Sequence, residues 1–307
     1  MLSKKNMLSI IVPIMNEEEG LRGFVKVVEE EVAKTFESHE IIFVDALSTD
    51  RSFEIIKEIN QTNPNVKCLR ATRKFKIDPS IMEGLKYATG DFVTVVYADL
   101  QDHPRYLKAM HKVLDENADV AVVYGVRIGT HGDAYWTRRV KSICYHLINL
   151  LSDVYMPPES GDFMLMRKKV ADVVQRNCEM DPYFRGLVRL AGFKQVPFEY
   201  VREKRVAGKS KIVSFGLNDI ASFLFFLTGT TFAPIYFLFL VALVLLLTSV
   251  AVLSIEPITH GVLYFVVIVA CSINLFAISV LGFYVSRVYK DVRGRERFLM
   301  DEMVGFD

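Results

Sequence analysis

The chain has 307 residues, with 37 Lys and Arg against 36 Asp and Glu, a hydrophobic share of 51% and a mean hydropathy of +0.25. A net charge of +1 excludes nucleic-acid binding driven by bulk electrostatics. Four scattered cysteines (Cys68, Cys144, Cys178, Cys271) with no CxxC pair exclude a disulfide framework and a structural zinc site, and point to a reducing compartment.

The apolar weight is uneven. The first two-thirds alternates charged and apolar residues like a globular α/β domain, and the last third is mostly apolar. The opening MLSKKNMLSIIVPIMNEEEG has basic residues and a short apolar run without a small-residue cleavage site, so it reads as a first strand and not as a signal peptide. That strand covers Leu8–Ile14 and is interrupted by Pro13. Asn16 is placed to cap a helix whose first turn is Glu17–Glu19 and whose apolar face is Leu21, Phe24, Val25, Val28 and Val32. Glu40–Val44 is a second strand ending at Asp45, and Ser48-Thr49-Asp50 starts a helix carrying Phe53, Ile56 and Ile59. Val66–Leu69 is a third strand, and Pro79–Ala88 is a helix that stops near Gly90.

The β-rich run Phe92–Tyr97 then ends in a cluster of acids, Asp99 and Asp102 with Gln101 between them. A buried strand that delivers carboxylates to its C-terminal end is how an open α/β sheet presents a ligand site. Oxygen ligands this close together suit Mg2+ or Mn2+ held against a phosphate. A helix from Pro104 to Glu116 and a strand from Asp119 to Tyr124 complete an alternation that predicts a parallel, doubly wound sheet. Beyond it, Arg127–Asp133 reads as a turn region and Tyr135–Leu151 as a helix with a basic start. Asp162–Met166 reads as a strand, Lys168–Arg176 and Pro182–Ala191 as helices, and Gln195–Val201 as a strand.

Val206–Ser214 is basic, and Phe215–Leu227 is apolar on one face, as in a helix lying in a membrane interface. Phe232–Ser254 and Gly261–Val285 each exceed twenty residues with no charged side chain, enough to span a hydrocarbon core of about 30 Å. The loop between them has no Lys or Arg, whereas Arg287, Lys290, Arg293, Arg295 and Arg297 follow the second span. The positive-inside rule therefore predicts a two-helix hairpin in the cell membrane with both termini cytoplasmic.

Taken together, SIIVPIMNEEEG, EIIFVDALSTDRS, ADLQDHP, SGDFMLM, YFRGLVRLAGF and REKRVAGKSK resemble the family 2 glycosyltransferases. The likeness is to the polyprenyl-phosphate branch, which includes dolichyl-phosphate mannose synthase and the bactoprenol glucosyltransferases. It covers essentially the whole chain. It implies a GT-A domain over 1–212, an interfacial helix at 213–230, a hairpin over 231–286 (spans 232–254 and 261–285) and a cytoplasmic basic tail at 287–307.

The resemblance also implies that Pro13, Asn16 and Glu17 line the nucleotide pocket and that Asp45 contacts the base or ribose. By the same resemblance Asp99 and Gln101 hold the metal, Mg2+ or Mn2+, and the sugar diphosphate. Asp162 is the acceptor-side acid, paired with Asp99 as a catalytic candidate. Arg127, Arg138, Arg139, Arg205 and Lys211 serve the lipid phosphate, with Lys209 near the membrane. Arg185 and Arg189 fit an acceptor role or a plain helix surface equally. The implied reaction is an inverting transfer of a hexose from a nucleotide sugar of the UDP-glucose or GDP-mannose type to undecaprenyl or dolichyl phosphate. A flippase and a homo-oligomer formed through the hairpin are the further partners it suggests.

Three stretches depart from the family pattern. Asp45-Ala46-Leu47-Ser48 stands where Asp-Asp-Gly-Ser is usual, Tyr97-Ala98-Asp99 where Asp-x-Asp is usual, and Phe75-Lys76-Ile77-Asp78-Pro79 where a Gly-Lys-Glu-like loop is usual. Two carboxylates are thus missing from the nucleotide and metal side, which predicts weaker metal affinity or metal-independent catalysis. It also keeps open a second reading, a non-catalytic glycosyltransferase-like scaffold or binding partner.

Overall fold

The computed structural model describes residues 6–128, 160–177, 182–203, 260–293 and 298–306, with single residues at 149, 155, 157, 179 and 244. Apart from residues 149 and 244, the predicted helix at 135–151, the interfacial segment 213–230 and the first span 232–254 lie outside the described residues, as do the phosphate-binding candidates Arg138, Arg139, Arg205, Lys209 and Lys211.

Eight strands form one sheet: β1 (Met7–Ile14), β2 (Ser38–Asp45), β3 (Val66–Ala71), β4 (Phe92–Val95), β5 (Val122–Ile128), β6 (Ser160–Arg167), β7 (Gln195–Val201) and β8 (Met300–Val304). Their spatial order is β7-β5-β6-β4-β1-β2-β3-β8. The pairs β1–β2, β1–β4, β2–β3 and β5–β7 are parallel, whereas β6 runs antiparallel to both β4 and β5, and β8 antiparallel to β3. Six strands therefore point one way and end at one edge of the sheet. The reversed β6 begins at that same edge.

Helices cover both faces, which is why the central strands are apolar on both sides. On one face α1 (Leu21–Val32), α2 (Ser52–Thr62) and α4 (Leu107–Glu116) bury Phe24, Ile56 and Met110 with Phe43 of β2. On the other, α3 (Ile77–Tyr87), α5 (Lys168–Val174) and α6 (Phe184–Leu190) bury Ile81, Leu85, Val170 and Leu187 with Val44.

The structure revises several predicted boundaries. Asn16 does not cap α1, which starts after Gly20 without a side-chain cap. Instead Asn16 takes a left-handed backbone (φ 57°), and its side-chain oxygen accepts from the Thr49 amide at 2.7 Å. Asparagine tolerates that conformation, so the residue ties two loops together rather than ending a helix. Arg127 lies on strand β5 rather than in a turn, because its pairing with β7 continues to Ile128↔Val201. Strand β4 ends at Val95, two residues before the predicted end at Tyr97.

The tail residues Met300–Val304 form β8 on the free edge of β3. Phe298 is buried against Phe75, their rings stacked 4.5 Å apart. Before it comes α7 (His260–Val292), 33 residues that include the second predicted span. Its described side chains Leu275, Ile278, Leu281 and Val285 are more than half exposed. Among the described residues no helix is long and apolar enough to cross a membrane.

Candidate active site

The sheet brings the predicted acids together through strand direction. Parallel β1 and β2 end at Ile14 and Asp45, β4 leads into Tyr97 and Asp99, and antiparallel β6 opens with Ser160-Gly161-Asp162. The chain moves from β1 to β2 on one side and returns through β4 on the other. The crevice thus lies at a topological switch point, where open α/β sheets bind ligands.

Pro13 helps to open the crevice. Ile11 O accepts from Val96 N on the β4 side, and Ile14 O accepts from Ala46 N on the β2 side. By this alternation Pro13 faces β4 just beyond its last paired residue, so its missing N–H breaks no ladder bond. Asn16, Leu47 and Leu100, the non-glycine residues with positive φ among those described, follow β1, β2 and β4 at this same edge. Left-handed backbone costs roughly 1–2 kcal/mol per residue outside glycine. Its confinement to three neighbouring strand ends marks where the fold gives up local comfort for loop geometry.

Asp45 is fully buried. Its Oδ1 accepts from the Ser48 amide at 2.8 Å and from the Ser48 hydroxyl at 2.5 Å, and Arg70 Nε stands 3.8 Å from Oδ2. Burial raises its pKa, and the Ser48 hydrogen bonds and the Arg70 charge only partly offset that. The loop carrying Glu17 is fastened to the loop after β2, since the Asn16 amide donates to Ser48 Oγ and the Glu17 amide to Ser52 Oγ, each at 2.9 Å.

Asp99 is buried, and its Oδ1 accepts from the Gln101 amide at 3.1 Å. Asp102 has a different task. Tyr200 donates to its Oδ1 at 2.5 Å, Arg202 Nε lies 3.3 Å away and Arg127 Nη2 3.6 Å away. Arg127 Nε also donates to the Tyr200 oxygen at 3.3 Å. Asp102 therefore organises two guanidinium groups at the ends of β5 and β7 and is not poised as a metal ligand. Burial alone would lower the pKa of Arg127, but Asp102, Tyr200 and Asp162 outweigh it and hold the guanidinium more firmly charged.

Gly161 leaves room for the guanidinium in this packing, since a Cβ there would sit 2.7 Å from Arg127 Nη2. The Glu203 amide donates to Gln101 O at 2.9 Å. This bond holds the chain just after β7 to the turn that carries Asp99.

Asp162 is held on both oxygens. The Tyr97 phenol donates to Oδ2 at 2.6 Å, and Arg185 Nε lies 3.1 Å from Oδ1. Arg185 also donates to Ser160 O at 2.7 Å, which places it at the acid rather than on a plain helix surface. Arg189 lies instead over the Tyr124 ring, 4.0 Å from its centroid. Asp78 completes the group. Its Oδ1 accepts from the Phe184 amide at 2.9 Å, and burial followed by the Asp162 charge raises its pKa to about 6.

Sequence reasoning missed Asp78, Arg70, Tyr200 and Arg202 as site residues. Asp78 left a signal as an acid in one of the three atypical stretches, and Arg202 as the first residue of REKRVAGKSK, whereas Arg70 and Tyr200 left none. Among the described residues no group of three or more His, Cys, Asp or Glu could hold a metal. Asp99 and Gln101 offer a carboxylate and a side-chain carbonyl, oxygen donors of the chemical kind a hard cation takes, with one acid between them, and the contact the structure shows between the two is the Gln101 amide on Asp99 Oδ1.

The glycosyl transferase family 2 pattern matches residues 9–174, more than half of the chain and every strand of the crevice except β7. The chain belongs to glycosyl transferase family 2. With that membership goes the enzyme class, a glycosyltransferase.

A Bacillus subtilis protein described as an uncharacterized glycosyltransferase is 30% identical over 322 residues, covering 100% of this chain and 97% of its own length. The bactoprenol glucosyl transferase of Shigella phage SfX is 29% identical, covering 95% of this chain and 98% of its own. Among solved structures, glucosyl-3-phosphoglycerate synthase from Mycobacterium tuberculosis, in complex with Mn2+, UDP and phosphoglyceric acid, superposes with a TM-score of 0.50 at 19% identity. That match covers 72% of this chain and 78% of the synthase. It supports the GT-A-like α/β fold.

Proposed function

We propose that the enzyme moves a hexose from a nucleotide sugar, of the UDP-glucose or GDP-mannose type, to a polyprenyl phosphate at the cytoplasmic face of the cell membrane. The observation that carries this reading is the grouping of Arg127, Arg185 and Arg202 on Asp102 and Asp162, beside the strand ends that hold Asp45 and Asp99. Guanidinium forks match phosphate oxygens. Likeness to a bactoprenol glucosyl transferase along nearly the whole length supports the lipid acceptor.

Asp45 would accept from a base N–H or a ribose hydroxyl. Asp99 and Gln101 would hold Mg2+ or Mn2+, which when bound supplies Lewis-acid stabilisation of the departing nucleoside diphosphate. An oxygen of the lipid phosphate would attack the anomeric carbon as the bond to the diphosphate breaks, inverting the centre in one displacement. A phosphate is already anionic near neutral pH, so no side chain has to remove a proton. Asp162, engaged on both oxygens, suits positioning better than general-base work.

Membrane attachment belongs to the same proposal. A hairpin of 232–254 and 261–285 with both termini cytoplasmic, the amphipathic segment 213–230 and the basic residues Arg205, Lys209 and Lys211 would set the crevice against the headgroups. The exposed apolar side chains along α7 support a lipid environment for that helix.

The test is transfer of labelled sugar to undecaprenyl phosphate in membranes containing the chain, with Asp99→Ala as control. Transfer by the wild type and at least a hundredfold loss in Asp99→Ala is expected, by analogy with removal of one transition-state-stabilising group. No transfer from either donor by wild type or variant would overturn the reading in favour of a scaffold.

A further inference from the structure

We propose that Tyr97 and Asp78 are positioning residues that act through Asp162, forming with Arg185 a four-membered cluster whose net charge sets how well the site accepts an anionic sugar donor. The inference rests on the proposed donor chemistry and adds two residues that depart from the family pattern.

The geometry places one group from each surrounding element. Tyr97, from the turn after β4, donates to Asp162 Oδ2 at 2.6 Å. Arg185 of α6 meets Oδ1 at 3.1 Å and donates to Ser160 O at 2.7 Å. Asp78, in the first turn of α3, accepts from the Phe184 amide at 2.9 Å and feels the charges of both Asp162 and Arg185. Tyr97 also feels Asp78, and burial together with the two carboxylates keeps its phenol protonated. Arg127 on β5 is the next charge, felt by Asp162 and committed first to Asp102.

One guanidinium thus faces two carboxylates. With both acids ionised the cluster is net negative and repels a diphosphate. With a proton on Asp78 it is neutral, and Arg185 is left to Asp162 alone. The phenol in place of the usual acid at position 97 adds a donor to Asp162 without adding another negative charge. An aspartate there would have made the cluster doubly negative. The pKa of about 6 for Asp78 puts the exchange of that proton just below neutral pH.

Calorimetry on the full-length chain in detergent, with UDP-glucose and with GDP-mannose in Mn2+, tests this. The diphosphate diester of such a donor has no group that titrates near neutral pH, so a pH dependence reports the protein. The wild type should bind its donor about tenfold more tightly at pH 5.5 than at pH 7.5, as one nearby charge dictates. Asp78→Asn, which keeps the acceptor for Phe184, should bind at the tighter value at both pH values. Tyr97→Phe should bind donor within about twofold of wild type but lose about tenfold in turnover, since Asp162 loses a charge-assisted hydrogen bond. Equal pH dependence in wild type and Asp78→Asn, or wild-type turnover in Tyr97→Phe, would overturn the cluster while leaving the donor reading intact. No binding of either donor at either pH would overturn both.

Discussion

At the scale of single residues, the site is built from side chains that hold each other before they hold a substrate. Gly161 shows how tight the fit is. Its missing Cβ gives Arg127 the room to lie over the start of β6, with Cζ 3.2 Å and Nη2 2.7 Å from where that carbon would be. Gly161→Ala must push the guanidinium off Asp102. Because these neighbours are the far end of a flexible side chain, the fold should survive with a stability loss within about 1 kcal/mol. The acceptor KM should rise about tenfold, as expected when a charge-assisted phosphate contact is misplaced. Transfer kinetics against undecaprenyl phosphate, with donor KM as the internal control, measure this. An unchanged acceptor KM would mean that Arg127 does not touch the acceptor. The glycine was legible in the sequence as part of a motif, but its reason was not, because the reason is an arginine more than thirty positions earlier on another strand.

At the scale of elements, most of the strands and helices were legible because periodicity and length carry them, as in β1 and α1. What was not legible is how elements are joined at the end of the sheet opposite the crevice. There Glu40, at the start of β2, is buried and links three strands and a loop. Its Oε1 accepts from Ser9 Oγ at 2.7 Å, from the Thr89 amide at 2.7 Å and from the Thr89 hydroxyl at 2.8 Å, and Lys67 Nζ lies 2.9 Å from Oε2. In sequence it is one more acid beside a strand. The partners that make it structural sit 27 to 49 residues away.

Burial by itself pushes the Glu40 carboxyl up, but the donors from Ser9, Thr89 and Lys67 outweigh it and leave its pKa below the ordinary 4.5. A carboxyl with a lowered folded pKa stabilises above its unfolded pKa, and that stability is lost as pH falls through the folded value. Glu40→Ala should therefore cost on the order of 3 kcal/mol at pH 7, where it strands Lys67 and the hydroxyls. The gap between wild type and variant should narrow as pH drops below 4.5. Denaturant titration of the full chain at several pH values measures it, and a gap that widens in acid would refute this account.

At the scale of the whole molecule, the crevice and the apolar helix are tied together through the chain's end. After α7 the chain returns to the sheet, where β8 pairs with β3 and converts its exposed edge into an interior position. The attachment is more than a ladder. The Thr72 amide donates to Leu299 O at 2.9 Å, Lys57 pairs with Glu302 at 2.5 Å, Phe306 meets Tyr87, and Phe298 stacks on Phe75. The sequence reads this segment as part of a cytoplasmic basic tail, because only Phe298 and a few alternate apolar positions hint at a strand and the partner edge is over 200 residues away. Phe75 leads directly into Lys76–Asp78 at the start of α3, so the clip reaches the donor side of the site. Deleting residues 298–307 removes a buried aromatic and an edge strand, together worth about 3 kcal/mol, and should lower the Tm by about 10 °C. Because Asp78 loses the packing behind its loop, donor affinity should fall in the same variant, whereas the undeleted chain carrying Phe298→Leu, which keeps an apolar side chain there, should retain most of both. A truncated chain with unchanged Tm and donor affinity would show that the eighth strand neither stabilises the sheet nor supports the crevice.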